Sequence, residues 1–178
     1  MVGVRSVTVL VGALMLCAVK PIAADTSSQP APSRHGPASE QAPVQNKLPY
    51  DESADAHADI AAALARAATE HKAVMLTFGA NWCPDCRALG TAMTTPPLTD
   101  TIAARYIVVD IDVGNWNKNL DVVDAWGNPI AKGIPSIVIA DAHGAVLYAT
   151  KAGELANARR MGSDAFVKFF TALPLAIQ

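Results

Sequence analysis

The sequence predicts an α/β domain in which a central mixed β-sheet is flanked by helices. Three observations carry the prediction. Short apolar runs bounded by turn residues recur at 74–78 (VMLTF), 106–113 (YIVVDIDV) and 136–140 (SIVIA), as buried strands do. Segments with apolar residues at helical spacing lie before, between and after them. A turn at Asp141-Ala142-His143-Gly144 leads into 145–148 (AVLY), which adds a hairpin to strands otherwise joined by helices.

The domain is expected to begin near Tyr50. Residues 54–71 are rich in alanine, with Ile60, Leu64 and Ala67 or Ala68 at helical spacing, and Ser53 or Asp55 is placed to cap the start. After the strand at 74–78, Pro84 suits the first turn of a helix over 84–93. Pro96 and Pro97 interrupt it before a shorter helical piece over 98–104. The connection over 114–133 is long and polar, with a helical turn or two over 120–126. Ser163 is placed to cap a last helix over 164–172, whose Phe166, Phe169 and Phe170 recur at i, i+3 and i+4 as a core-facing stripe.

A chain of 178 residues suits one such domain plus extensions, and 51% hydrophobic with 17% charged residues fits a globular core. The net charge of −2 gives no basic excess to attract nucleic acid and no acidic block. Residues 1–24 read as a secretory signal peptide: Arg5, an apolar run over 7–19, then Ala23 and Ala24 before Asp25. The run falls short of the roughly 20 residues of a bilayer span, which places an uncleaved anchor second. A lipid anchor on Cys17 ranks lower still, because bulky Leu16 stands where such signals carry a small residue. Residues 25–49 hold Pro30, Pro32, Pro37, Pro43 and Pro49 among Ser, Gln and Ala, and read as a flexible linker. The expected plan is a signal peptide over 1–24, a linker over 25–49 and a domain over 50–178, in an exported, periplasmic protein.

Cleavage after Ala24 would remove Cys17 and leave only Cys83 and Cys86 of the three cysteines. Export places them where disulfides persist. A pair so close in sequence closes too small a loop to staple a fold, so a chemical role is favoured over a structural one. The segment Phe78-Gly79-Ala80-Asn81-Trp82-Cys83-Pro84-Asp85-Cys86 carries that chemistry, because it delivers a cysteine from a strand to the first turn of a helix. Free amides and the positive end of the helix dipole favour the thiolate, which is the attacking species in exchange. Two intervening residues let the second cysteine reach the first sulfur and release a mixed disulfide from within the molecule.

Trp82-Cys83-Pro84-Asp85-Cys86, directly after a buried strand, resembles the WCxxC signature of the thioredoxin family, and Gly133-Ile134-Pro135-Ser136 resembles its second signature, a cis-proline loop opening the next strand. The resemblance spans about residues 55–172 and implies a thioredoxin fold. It implies that Cys83 is an exposed nucleophile, that Cys86 is the buried resolving cysteine, and that Ile134 and Pro135 lie beside them and pair with bound substrate. Trp82, Pro84 and Asp85 are supporting residues. Trp82 is expected over the cysteine rather than in the core; Asp85 reads equally as a helix-start carboxylate or as a group that tunes the thiols. Trp116 and Trp126 read equally as loop packing or partner contacts. This sequence departs from the family pattern in carrying Thr77 for a buried Asp, Val108 for a Lys on the next strand, and Gly79 where many members have Trp.

A CxxC pair can also be half of a zinc site, but the other half is missing: His57, His71 and His143 fall in a helix, at a helix end and in a turn. Haem attachment needs His where Arg87 stands. No metal or other cofactor is expected. The resulting reading is a thiol–disulfide oxidoreductase of the cell envelope that reduces protein disulfides through Cys83 and Cys86. Its partners are disulfide-containing or dithiol proteins, with a membrane thiol carrier as donor. The alternative is a non-enzymatic binding module or metallochaperone on the same fold.

Overall fold

The computed structural model describes residues 48–175. The expected signal peptide, and all of the expected linker but Leu48 and Pro49, lie outside the described residues. Among the described residues no helix is long and apolar enough to cross a membrane.

The elements run α1 (Ala56–Glu70), β1 (Ala73–Gly79), α2 (Pro84–Met93), α3 (Leu98–Arg105), β2 (Tyr106–Asp112), α4 (Leu120–Ala125), β3 (Ser136–Ala140), β4 (Val146–Ala149) and α5 (Ser163–Ala172). The four-stranded sheet has the order β2-β1-β3-β4; β1 pairs parallel with β2 and antiparallel with β3, and β3 pairs antiparallel with β4. This is the mixed sheet of a thioredoxin fold. All seven residues of β1 are buried, as a central strand covered on both faces requires. Alternation then sorts its side chains. Val74, Leu76 and Phe78 join Ile60, Ala63 and Ala67 of α1 in one core, while Ala73 and Met75 join Leu89, Leu98, Ile102, Phe166 and Phe170 in the other.

Several boundaries differ from expectation for local reasons. Asp55, not Ser53, caps α1 by accepting from the Ala58 N–H at 3.1 Å, because the helix starts at Ala56; the Ser53 hydroxyl donates to Asp51 at 2.7 Å. The N-cap of α5 is Gly162, with no side-chain cap bond, and Ser163 is its first helical residue. Its other end is held from outside: Arg105 donates to the carbonyls of Phe170 at 2.7 Å and Leu173 at 2.6 Å. Phe166 and Phe170 are buried and Phe169 is half-buried. Two short 3-10 helices, Pro129–Lys132 and Ala158–Arg160, fall in stretches that carry no helical periodicity. Pro49 belongs to the folded unit rather than to a free linker, because a Cβ added at Gly90 would stand 2.7 Å from its own Cβ.

Candidate active site

The turn between β1 and α2 brings the two cysteines together. Cys83 is the N-cap of α2, in extended backbone, and its sulfur accepts the Cys86 N–H at 3.3 Å. Pro84 follows at a position whose N–H has no helical partner to lose, and it is exposed. Asn81 fixes the approach: it donates to the Tyr50 carbonyl at 2.8 Å and accepts from the Tyr50 N–H at 3.1 Å. The segment before α1 is thereby clamped to the turn before Cys83.

Both cysteines are free thiols. Cys86 has no exposed surface, and Cys83 retains only 5%. The expectation of an exposed Cys83 is corrected here. The sulfur faces the loop before β3, and its thiol donates to the Ile134 carbonyl at 3.7 Å. Ile134–Pro135 is a cis peptide, and both residues are buried. Gly133, at φ 111°, takes a conformation that a residue with a Cβ would resist, and the Ser136 hydroxyl donates to its carbonyl at 2.7 Å. Burial pushes the Cys86 thiol well above its ordinary range; the hydrogen bond with Cys83 and the negative charges of Cys83 and Asp85 add to the rise, and the Ala80 backbone opposes it.

The supporting residues divide. Trp82 is not a core aromatic: it is 48% exposed, its indole N–H donates to the Gly114 carbonyl at 2.9 Å, and its ring meets Trp116 at 6.2 Å between centroids. Trp116 itself is exposed and sits at φ 64°, unusual for a bulky side chain, so the 113–133 connection reaches the site at this point. Trp126 instead packs against the core. Asp85 is 7% exposed, and its carboxylate accepts from the Arg159 backbone N–H at 2.9 Å and guanidinium at 3.2 Å. It therefore ties α2 to the second 3-10 helix, a partnership between residues 74 positions apart.

Sequence reasoning missed a polar chain behind Cys86. The strand register pairs Val108 with Met75 and sets Asp110 opposite Thr77. The Thr77 hydroxyl donates to the Asp110 carboxylate. The Tyr50 hydroxyl in turn bonds the Thr77 side chain, and no buried side-chain nitrogen or oxygen among the described residues lacks a partner. A Cβ added at Gly79 would clash with the Tyr50 hydroxyl and stand 2.9 Å from the Cys86 sulfur, so hydroxyl and thiol flank the same small space. The only available signal was negative, in that Thr77 and Gly79 both depart from the family pattern.

Among the described residues no group of three or more His, Cys, Asp or Glu side chains could hold a metal ion.

A family described as thioredoxin-like matches residues 55–142. Among solved structures, a disulphide isomerase from Xylella fastidiosa Temecula1 is 48% identical, with a TM-score of 0.69 over 70% of this chain and 95% of that one. The C-terminal domain of DsbD from Neisseria meningitidis, in its oxidised form, is 20% identical, with a TM-score of 0.51 over 68% of this chain and 97% of that one, a likeness of fold. No curated protein matches the chain.

Proposed function

This chain belongs to the thioredoxin-like family, and from that premise we propose that it is a thiol–disulfide oxidoreductase that reduces disulfides of exported proteins through Cys83 and Cys86. The observation that carries the reading is the pairing of the two sulfurs at one helix start, where Cys83 takes the Cys86 N–H, opposite the cis Ile134–Pro135 loop. The Cys83 thiolate attacks one sulfur of a client disulfide, forming a mixed disulfide and expelling the other sulfur as a thiolate. The Cys86 thiolate then attacks the Cys83 sulfur, closing Cys83–Cys86 and expelling the second client thiolate. Both client thiolates take up protons, and two electrons have moved to the client. An external dithiol, in this reading a membrane thiol carrier, must return two electrons to Cys83–Cys86. Ile134 offers backbone groups to the client, and Trp82 with Trp116 offers exposed aromatic surface beside the nucleophile.

Insulin reduction under a dithiol donor tests this reading. The parent should be active and Cys83→Ser inactive, and Cys86→Ser should accumulate mixed disulfides with clients that Cys83→Ser does not form. A parent that fails to reduce insulin would leave the binding-module or metallochaperone reading in its place, and activity surviving in Cys83→Ser would remove Cys83 as the nucleophile. The 48% identity to a disulphide isomerase favours a second use of the same first step. A thiol of the client, rather than Cys86, then resolves the mixed disulfide, so Cys86→Ser would retain activity on scrambled substrates. Export, with residues 1–24 removed and 25–49 as linker, rests on the sequence pattern; intact mass of the native protein should start near Asp25, and a retained Met1 would end that part of the proposal.

A further inference from the structure

A buried thiol that must become a nucleophile needs somewhere to send its proton. Cys86 has no exposed surface, and burial holds it in the protonated form. Resolution therefore requires a proton acceptor that reaches it inside the fold. Cys83 cannot serve, because its sulfur is then tied up in the mixed disulfide. Asp85 is engaged by the backbone and guanidinium of Arg159.

The remaining polar neighbour is Tyr50. It is 4% exposed and lies against the same space beside Gly79 as the Cys86 sulfur. From Tyr50 the bonds run outward: its hydroxyl is hydrogen-bonded with the Thr77 side chain, and the Thr77 hydroxyl donates to the Asp110 carboxylate. Thr77 is 1% exposed, whereas Asp110 lies on the edge strand β2 among the exposed residues. Asp110 also lines a surface groove of about 350 Å³ with Asp51, Asp59 and Arg66, so the outer end of the chain meets solvent. A path of this form, from a buried thiol through two hydroxyls to a surface carboxylate, has a donor and an acceptor at every step.

We propose that Tyr50, Thr77 and Asp110 form a hydrogen-bonded proton path that deprotonates Cys86 as it resolves the mixed disulfide on Cys83. The proposal rests on the oxidoreductase reading. As the Cys86 sulfur attacks, its proton passes to the Tyr50 oxygen, the Tyr50 proton to the Thr77 oxygen and the Thr77 proton to Asp110, which releases it to water. The S–H bond of Cys86 and the bond between Cys83 and the client sulfur break, the Cys83–Cys86 bond forms, and the client leaves as a thiolate. Cys86 is surrounded by Cys83, Asp85, Tyr50 and, through Tyr50, Asp110. With Asp51, Asp59 and Arg66 in the outer groove, these are the groups that shape its pH dependence.

Stopped-flow reaction of the reduced full chain with dithiobis-nitrobenzoate separates the two steps. Cys17→Ser serves as parent, so that Cys83 and Cys86 are the only thiols. A first equivalent of coloured thiolate reports attack by Cys83, and a second reports resolution by Cys86. Tyr50→Phe and Thr77→Val should slow the second phase at least about tenfold, below the roughly 100-fold that a positioned proton acceptor commonly supplies. They should shift its pH midpoint upward and leave the first phase within about twofold. Thr77→Ser, which keeps the hydroxyl, should match the parent, and Asp110→Asn should slow the second phase alone. The double variant Tyr50→Phe/Thr77→Val should be no slower than either single one, since both interrupt one path.

An unchanged second phase in Tyr50→Phe and Thr77→Val overturns the path. So does a Thr77→Ser as slow as Thr77→Val, or equal slowing of both phases, since shape and not the hydroxyl would then matter. A parent that shows no first phase removes the oxidoreductase reading itself, and the path with it.

Discussion

Gly79→Ala should be among the most damaging single-methyl additions to this domain. The residue ends the central strand and is buried. Its backbone does not require glycine, because its φ lies outside the positive range, so the cost arises from space alone. The new Cβ would clash with the hydroxyl and ring of Tyr50 and stand 2.9 Å from the Cys86 sulfur, closer than real Cβ atoms approach anything. Neither neighbour can give way freely, since Tyr50 is 4% exposed and clamped at its backbone by Asn81, and Cys86 sits inside α2. Overpacking of this kind costs about 1–3 kcal/mol. Full expulsion of the Tyr50 ring would cost a similar amount in lost burial, about 1.5–3 kcal/mol. With a urea dependence of about 1–3 kcal/mol per molar, the midpoint should fall by about 1 M at unchanged slope. Gly162→Ala is the control, because a Cβ there meets nothing within 4 Å. In a Tyr50→Ala background the cost of Gly79→Ala should shrink, since one of the two obstructions is gone. A midpoint shift no larger than that of Gly162→Ala would refute the reasoning.

Two further outcomes follow from the site's electrostatics and bonding. Burial first, then the surrounding bond and charges, raise the Cys86 thiol above its ordinary 9.0, and burial raises the Tyr50 phenol above 10.0. The folded state thus keeps protons that the unfolded chain releases. Their stabilisation is complete below about pH 9 and is lost as pH rises past it. The urea midpoint of the reduced protein should fall in that alkaline range, and less steeply in Cys86→Ser; equal slopes would contradict the assignment. Asp85→Ala should lower stability by about 1–2 kcal/mol, from a lost charge-assisted hydrogen bond to the Arg159 N–H and a lost acid in the first turn of α2. The ion pair itself adds little, because the Arg159 side chain is 51% exposed. Asp85→Asn, which keeps an acceptor, should cost less, and an unmoved urea midpoint in Asp85→Ala would show that the contact with the 3-10 helix is idle.

What the sequence disclosed follows how far each signal reaches along the chain. Helix α2 is legible to the residue because its start and stop are local: Pro84 opens the first turn, and Pro96 and Pro97 prevent continuation. Strand β1 is legible because burial on both faces demands an unbroken apolar run. Even local signals compete, however. Ser53 and Asp55 are both good caps in isolation, and only the start of the helix at Ala56 decides between them. The contacts that make a site are of another kind. Asp85 meets Arg159 across 74 positions, and Thr77 meets Asp110 across 33, through the parallel register of β1 and β2. No periodicity encodes such pairs.

The deepest of these contacts joins two departures that look unrelated in sequence. Gly79 leaves a space at the end of β1, and Thr77 leaves a buried position without a charge. Tyr50, from a segment legible only as the start of the domain, fills the first with its ring and reaches the second with its hydroxyl. Without Tyr50, Gly79 would leave a void at the end of β1, and the Thr77 hydroxyl would keep Asp110 as its partner. Together with Tyr50 they form one packed polar unit behind Cys86. Gly79 is therefore constrained by Tyr50 as firmly as Tyr50 is by Gly79, and a change at either should be tolerated best when the other changes with it.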